Sequence, residues 1–299
     1  MVQRFKNILF VNEPGTASTD TPRAAVELAR RNAARLTLCD VAYELTRSFS
    51  QLKQSLESLR LQRLDALLEG IDTVGVEIEK VLLDGAPFVE VIRQVRRAGH
   101  DLVIKNAEPG GLSETTFAAN DMHLMRKCPC PLWIARSDRF GSYQSVLAAV
   151  DVDPDVSTNR ELNRLILDLS TALARRNGCA LHVVHACWVH NEILLRGLDR
   201  GIDARVEAAL GERKALLTDL LAQRDIDGLE LQVHVDHARP ADYVIDVARR
   251  VQADLVVMGT VARTGVPGFF IGNTAERILA GLTCSALTVK PEAFISPVA

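Results

Sequence analysis

The chain has 299 residues, of which 47% are hydrophobic, 24% charged and 5% aromatic; this excludes disordered and fibrous classes and favours two globular domains. With 35 Lys and Arg against 38 Asp and Glu, the net charge of −3 gives no drive to coat a polyanion or an anionic membrane. No apolar run approaches the roughly 20 residues needed to cross a bilayer. Residues 1–13 lack the pattern of a signal peptide, so a cytoplasmic address is expected, with the six cysteines reduced and mostly buried.

In chain order, a short apolar strand, Ile8–Asn12, opens the sequence. A leucine stripe follows (Leu52, Leu56, Leu59, Leu61, Leu64 and Leu68) and predicts a helix packed on a sheet rather than a coiled coil. Asp84-Gly-Ala-Pro-Phe-Val-Glu-Val-Ile92 and then Asp101-Leu-Val-Ile104 reappear 153 residues later as His237-Ala-Arg-Pro-Ala-Asp-Tyr-Val-Ile245 and Asp254-Leu-Val-Val257. Ile8–Asn12 matches Leu147–Asp151 at an offset of 139. The sequence is therefore two copies of one unit, joined near the polar, turn-prone segment Ser137–Tyr143.

The second copy predicts a strand at Val146–Val150, a helix at Ser157–Asn177, a strand at Leu181–Ala186 and a helix at about Asp203–Ala222. After these come a strand at Leu231–Val235, a helix opened by Pro240, a strand at Leu255–Met258, a helix after Gly272 and a last strand at Ala286–Val289. Strand–helix alternation of this kind predicts an α/β protein of two tandem Rossmann-like domains, each a five-stranded parallel sheet with helices on both faces. The expected boundaries are 1–137, 143–290 and a tail at 291–299.

In such sheets ligands bind beyond the strand C-termini. In the second copy these are Asp151 and Met258-Gly259, followed by a loop with glycines at 259, 265, 268 and 272 that enters a helix at Asn273 and Thr274. Glycine lets the backbone approach a ligand closely, helix-start N–H groups donate to phosphate, and Arg263 adds positive charge. The competing reading is a glycine-rich loop capped by Asn273, with no ligand.

This loop resembles the nucleotide motif of the universal stress proteins: Gly, two residues, Gly, nine residues, then Gly followed by Ser or Thr. Here it stands as Gly259, Thr260-Val261, Ala262, nine residues, then Gly272-Asn273. The string Gly-Asn-Thr-Ala-Glu276 is similar to the tandem E-type members, and His100-Asp-Leu-Val-Ile-Lys105 and Cys128-Pro-Cys-Pro-Leu-Trp133 extend the resemblance over nearly the whole chain.

Carried over residue by residue, the resemblance implies Asp151 and Ala186 at the adenosine. Met258 and Gly259 form the floor, Ala262 is in the loop, and Gly272, Asn273 and Thr274 lie at the phosphates. ATP or AMP is then a bound ligand and no cofactor is required. Ala262 replaces a glycine and Asn273 a Ser or Thr. In the first copy Asn106 replaces Gly259, and Glu108, Glu114 and Asp121 are expected to repel an anion unless they bind a metal. The resemblance further implies that the two copies pair within the chain, the last strands meeting through residues such as Ile134 and Val289, and it leaves room for a homodimer.

Other chemistries find no signature. Asp151-Val-Asp-Pro-Asp155 stands where adenylating or nucleotidyl-transfer enzymes carry glycine-rich or histidine motifs, and no phosphate-loop, hydrolase-elbow or zinc-helix motif occurs. His182 and His185 read as core residues, Cys128-Pro-Cys130 with His123 as a proline-fixed strand entry rather than a zinc site, and His234 and His237 as hydrogen-bonded or solvent-facing. The expected function is that of a non-catalytic stress-response protein without metal or nucleic-acid partners. An interaction or small apolar-ligand protein that has lost nucleotide binding is the alternative, and slow ATP hydrolysis a third reading.

Overall fold

The computed structural model describes residues 4–12, 20–43, 50–108, 117–136, 140–153, 158–188, 202–260 and 272–299. Its strands are β1 (Asn7–Asn12), β2 (Arg35–Ala42), β3 (Ile78–Asp84), β4 (Leu102–Asn106), β5 (Leu132–Ala135), β6 (Ser145–Ala149), β7 (Ala180–Cys187), β8 (Leu231–His237), β9 (Leu255–Gly259) and β10 (Ser285–Val289). The helices are α1 (Asp20–Asn32), α2 (Ser50–Ala66), α3 (Pro87–Ala98), α4 (Ala119–Lys127), α5 (Thr158–Asn177), α6 (Ile202–Ala222), α7 (Pro240–Arg250) and α8 (Asn273–Gly281). Among the described residues each copy thus carries five strands, as its sequence predicts.

By contact the chain forms two compact units, one of Met1–Gly141 with Ser285–Ala299, the other of Ser142–Thr264 with Ile271–Cys284. In the first the strand order is β3-β2-β1-β4-β5-β10. All neighbours are parallel except β5 and β10, which pair antiparallel with Ala286 opposite Ile134 and Thr288 opposite Leu132. The last strands of the two copies therefore meet. In the second unit the order is β9-β6-β7-β8, all parallel. Strands β1, β4, β6 and β9 are buried along almost their whole length, as central parallel strands covered on both faces must be.

Repeated residues do repeated work. Asp101 accepts the backbone N–H groups of Lys6 (2.6 Å) and Asn7 (3.0 Å), and Asp254 accepts those of Gln144 (2.7 Å) and Ser145 (3.1 Å). Each aspartate before a fourth strand so fixes the entry of the first. Asn32 and Asn177, the last residues of α1 and α5, both reach back to a carbonyl four residues earlier and accept an N–H of the segment before or entering the first strand. Pro87 and Pro240 open α3 and α7 at the position where a missing N–H costs nothing, and their extended N-caps, Ala86 and Arg239, suit the residue before proline.

Two expectations are corrected. Ile8 pairs with Leu102 and Val146 with Leu255, so Ile8 corresponds to Val146, and the first strands match at an offset of 138, not 139. Asn12 is the counterpart of Val150 rather than of Asp151. The leucine stripe of α2 is also only partly core: Leu64 is fully buried, whereas Leu59 and Leu61 are exposed. The residue buried one turn before Leu64 is Arg60.

Candidate functional site

In the second copy β6 runs out at Val150-Asp151. Asn163, buried on α5, clamps the Asp151 main chain from both sides, accepting its N–H (3.0 Å) and donating to its carbonyl (2.6 Å). The Asp151 carboxylate in turn accepts the Asp153 N–H at 3.3 Å, which fixes a tight turn at the strand end. Ala186 is the last but one residue of the buried run of β7, in register with Asp236 of β8. Met258 is buried and Gly259 half-buried at the end of β9. A Cβ on Gly259 would lie 2.5 Å from Leu162 Cδ2, so any side chain here would force Leu162 of α5 to shift, whatever binds.

Past Gly259, Thr260 is buried and its carbonyl accepts the Gly272 N–H at 3.1 Å, bringing the two ends of the intervening loop together. Residues 261–271, with Ala262 and Arg263, lie outside the described residues. Gly272 is the N-cap of α8, with φ −63° and ψ 138° and no side-chain cap. Asn273 is therefore the first helical residue and does not cap the helix as the ligand-free reading assumed. Asn273 and Thr274 are both exposed. A helix that starts on glycine leaves its first-turn N–H groups without a side-chain acceptor, and its dipole favours an anion there.

The same region of the first copy is filled by the protein itself. Lys105, in β4 where β9 has Met258, is completely buried and donates to Asp121 Oδ1 at 2.5 Å, with Glu108 Oε1 at 3.4 Å. The other Asp121 oxygen accepts the Glu108 N–H at 3.1 Å. Helices α4 and α8 start on N-caps Ala118 and Gly272, so Asp121, the third helical residue, is the counterpart of Ala275. Burial pushes the Asp121 pKa up, while Lys105 and the Glu108 N–H hold it down.

One expectation is partly corrected here. Asp121 and Glu108 both face Lys105, which offsets one of the two carboxylates and ties Asp121 into the fold; Glu114 lies outside the described residues.

A second polar group closes the ends of β1, β2 and β3. Arg60 donates to Asp40 Oδ1 (2.5 Å), to Asp84 Oδ1 (2.5 Å) and to the carbonyls of Asp40 and Leu83 (both 2.8 Å). Asn12 Nδ2 completes the group on Asp40 Oδ2 at 3.3 Å. Burial works against the Arg60 charge, but the hydrogen bonds and charges of Asp40 and Asp84 outweigh it, and its pKa is raised.

At the 153 offset Arg60 becomes Arg213, and the strand register makes Asp40 the counterpart of His185. With a histidine there, Arg213 turns to Asp153 (3.5 Å) and Glu212 instead. His185 is buried, with Nδ1 3.3 Å from the Val150 carbonyl, and His182 is within 3.2 Å of His234, so the two are core residues serving different neighbours. His237 stacks on Trp188 beside the ends of β7 and β8, with Arg239 over the same ring. His123 stacks on Phe88. Among the described residues no group of three or more His, Cys, Asp or Glu is arranged to hold a metal ion, and no helix is long and apolar enough to cross a membrane.

The Universal stress protein family matches residues 4–136 and again 142–290. The chain belongs to the universal stress protein family. It is 30% identical over 309 aligned residues to Universal stress protein E of Escherichia coli K12, covering 98% of this chain and 96% of that relative. Among solved structures it is similar to a universal stress protein of Pseudomonas aeruginosa UCBPP-PA14, with a TM-score of 0.72 and 26% identity over 97% of this chain and 95% of that one. The cytoplasmic domain of a prokaryotic cation chloride cotransporter is similar at a TM-score of 0.54 and 12% identity, a likeness of fold alone. Both repeats are thus universal stress domains in tandem, as in the E-type members.

Proposed function

We propose that this tandem universal stress protein is a non-catalytic stress-response protein that binds one adenine nucleotide, ATP or AMP, in its second copy. The observation that carries this reading is the contrast at the two helix starts. Both helices start without a side-chain cap, but at α4 a buried lysine–aspartate pair occupies the strand end, whereas at α8 Met258 and Gly259 stand there and Asn273 and Thr274 are exposed. In this reading Asp151 and Ala186 bound the adenosine, Met258 and Gly259 the floor, and Ala262, Gly272, Asn273 and Thr274 the phosphate side. The functional copies are 1–137 and 143–290, with 291–299 as a tail, and the protein works in the cytoplasm without nucleic-acid partners.

Calorimetry of the full chain with ATP and with AMP tests the ligand. A dissociation constant below millimolar, corresponding to more than about 4 kcal/mol, is expected. No binding at millimolar nucleotide would move the reading to an interaction protein. Phosphate release from bound ATP at a steady multiple-turnover rate would contradict the non-catalytic part.

A further inference from the structure

Away from both crevices, the turn between α4 and β5 holds an arrangement that nucleotide binding does not use. Cys128 is the C-cap residue of α4, its N–H on the Leu124 carbonyl at 2.8 Å. Its Sγ lies 3.7 Å from Sγ of Cys130. Both are free thiols, Cys128 wholly enclosed and Cys130 9% exposed. Lys290, just beyond β10, is buried in the same place and donates to the Met125 carbonyl in the last turn of α4 at 2.8 Å.

A buried ammonium is costly unless negative charge is near. Here the nearby groups that can supply one are the carbonyl end of α4 and the two thiols.

Their mutual effects agree with that geometry. The contact between the two sulfurs, and then the Lys290 charge, outweigh burial and lower the Cys128 pKa. The Cys130 thiol, as donor and beside a negative neighbour, is pushed well up. Burial brings Lys290 down to about 8, with both sulfurs partly offsetting it. By contrast, burial raises the pKa of Cys179 and Cys187.

We propose that Cys128 and Cys130 are a peroxide-responsive modification site that closes into a reversible disulfide, with the Lys290 ammonium as counter-charge to the reacting sulfur. The Cys128 thiolate attacks one peroxide oxygen and the O–O bond breaks. This leaves Cys128 as a sulfenic acid, and the departing hydroxide takes from solvent the proton that the thiol had released. The Cys130 sulfur then attacks the Cys128 sulfur; the S–S bond forms, the S–O bond breaks, and the leaving hydroxide departs as water with the Cys130 proton. Two thiols and one hydrogen peroxide give one disulfide and two waters, and two equivalents of thiol reverse the oxidation.

The sulfurs must close from 3.7 Å to about 2.05 Å. Residues 128–131 belong to neither helix nor strand, so the closure need not break a sheet ladder. Pro129 and Pro131 hold the segment near one backbone course.

The test uses the full-length protein, reduced, exposed to hydrogen peroxide, blocked with an alkylating reagent and digested with trypsin. Cleavage after Lys127 and Arg136 releases both cysteines in one peptide. That peptide should appear unalkylated and about 2 Da lighter, and dithiothreitol should return it to the doubly alkylated form. Cys130→Ser should trap a dimedone adduct at Cys128 in place of the disulfide.

Lys290→Met, checked for an unchanged circular dichroism spectrum, should slow closure by about tenfold or more, as expected where a neighbouring cation sustains the thiolate. A peptide that stays doubly alkylated, or that is over-oxidised without losing 2 Da, overturns the proposal. Closure at an unchanged rate in Lys290→Met overturns the role given to the lysine.

Discussion

The two copies solve the same local problem in opposite ways. At the end of its fourth strand, the first copy places Lys105 and draws the Asp121 carboxylate onto it inside the fold; the second places Met258 and Gly259 there and has Ala275 where the first has Asp121. A carboxylate in the first turn of a helix meets the positive end of its dipole, as a ligand phosphate would. One copy therefore carries an internal anion at this place, and in the proposed reading the other takes an external one. The difference extends to the neighbouring strand ends, where Arg60 is enclosed between Asp40 and Asp84 while its counterpart Arg213 makes a longer contact to Asp153.

The most disruptive way to break this comparison is to remove one member of the buried pair. Lys105→Met leaves Asp121 enclosed without its counter-charge and should cost about 3–5 kcal/mol, read as a lowered urea midpoint for the first unit. Adding Asp121→Asn should recover most of that loss. An equal loss in single and double variants would show that the pair is not what closes the crevice.

The arginine counterparts sharpen the contrast. Arg60→Met strands Asp40 beneath the sheet ends and should cost about 2–4 kcal/mol. Arg213→Met removes a contact of 3.5 Å from a more open site and should cost less than about 1 kcal/mol. Denaturation of the two variants side by side checks the order. Gly259→Ala comes next: the added methyl meets Leu162 and should cost about 1–3 kcal/mol through overpacking, even with no nucleotide present. Its thermal midpoint would separate packing from ligand effects.

The smallest effect is a pH dependence in the second unit. Burial lowers the pKa of both His182 and His234, the latter helped by His182. A histidine whose folded pKa lies below its unfolded value near 6.5 keeps its full contribution to stability above that pH. The contribution falls as the pH drops from about 6.5 towards the folded pKa, because the unfolded chain binds the proton first. Denaturation midpoints should fall between pH 7 and 5, at no more than about 1.4 kcal/mol per histidine per pH unit, and His182→Asn with His234→Asn should flatten that slope.

What the sequence disclosed follows from the kind of interaction involved. The repeated Asp101 and Asp254 were legible because each serves a nearby backbone entry that both copies need. The first-strand match slipped by one residue because a parallel strand buried on both faces has no in–out alternation to fix its register.

Arg60 escaped notice because an arginine among leucines on a helix ordinarily lies in solvent, and only its recurrence as Arg213 at the same 153 offset could have marked it. Lys105 was visible only as part of an apolar strand. Its partner Asp121 lies 16 residues on, and nothing in the sequence sets the two side by side. The open start of α8 was legible as glycine spacing, whereas the cap's position, on Gly272 rather than Asn273, depended on where the first helical turn closes.

The central claim is that one copy keeps its anion site open and the other has closed its own. Titration calorimetry of the full-length protein with ATP, alongside Gly272→Val, tests it most directly. The account predicts one nucleotide per chain in the parent and none in the variant, whose side chain would crowd the start of α8. Two nucleotides per chain, or undiminished binding in Gly272→Val, would contradict it.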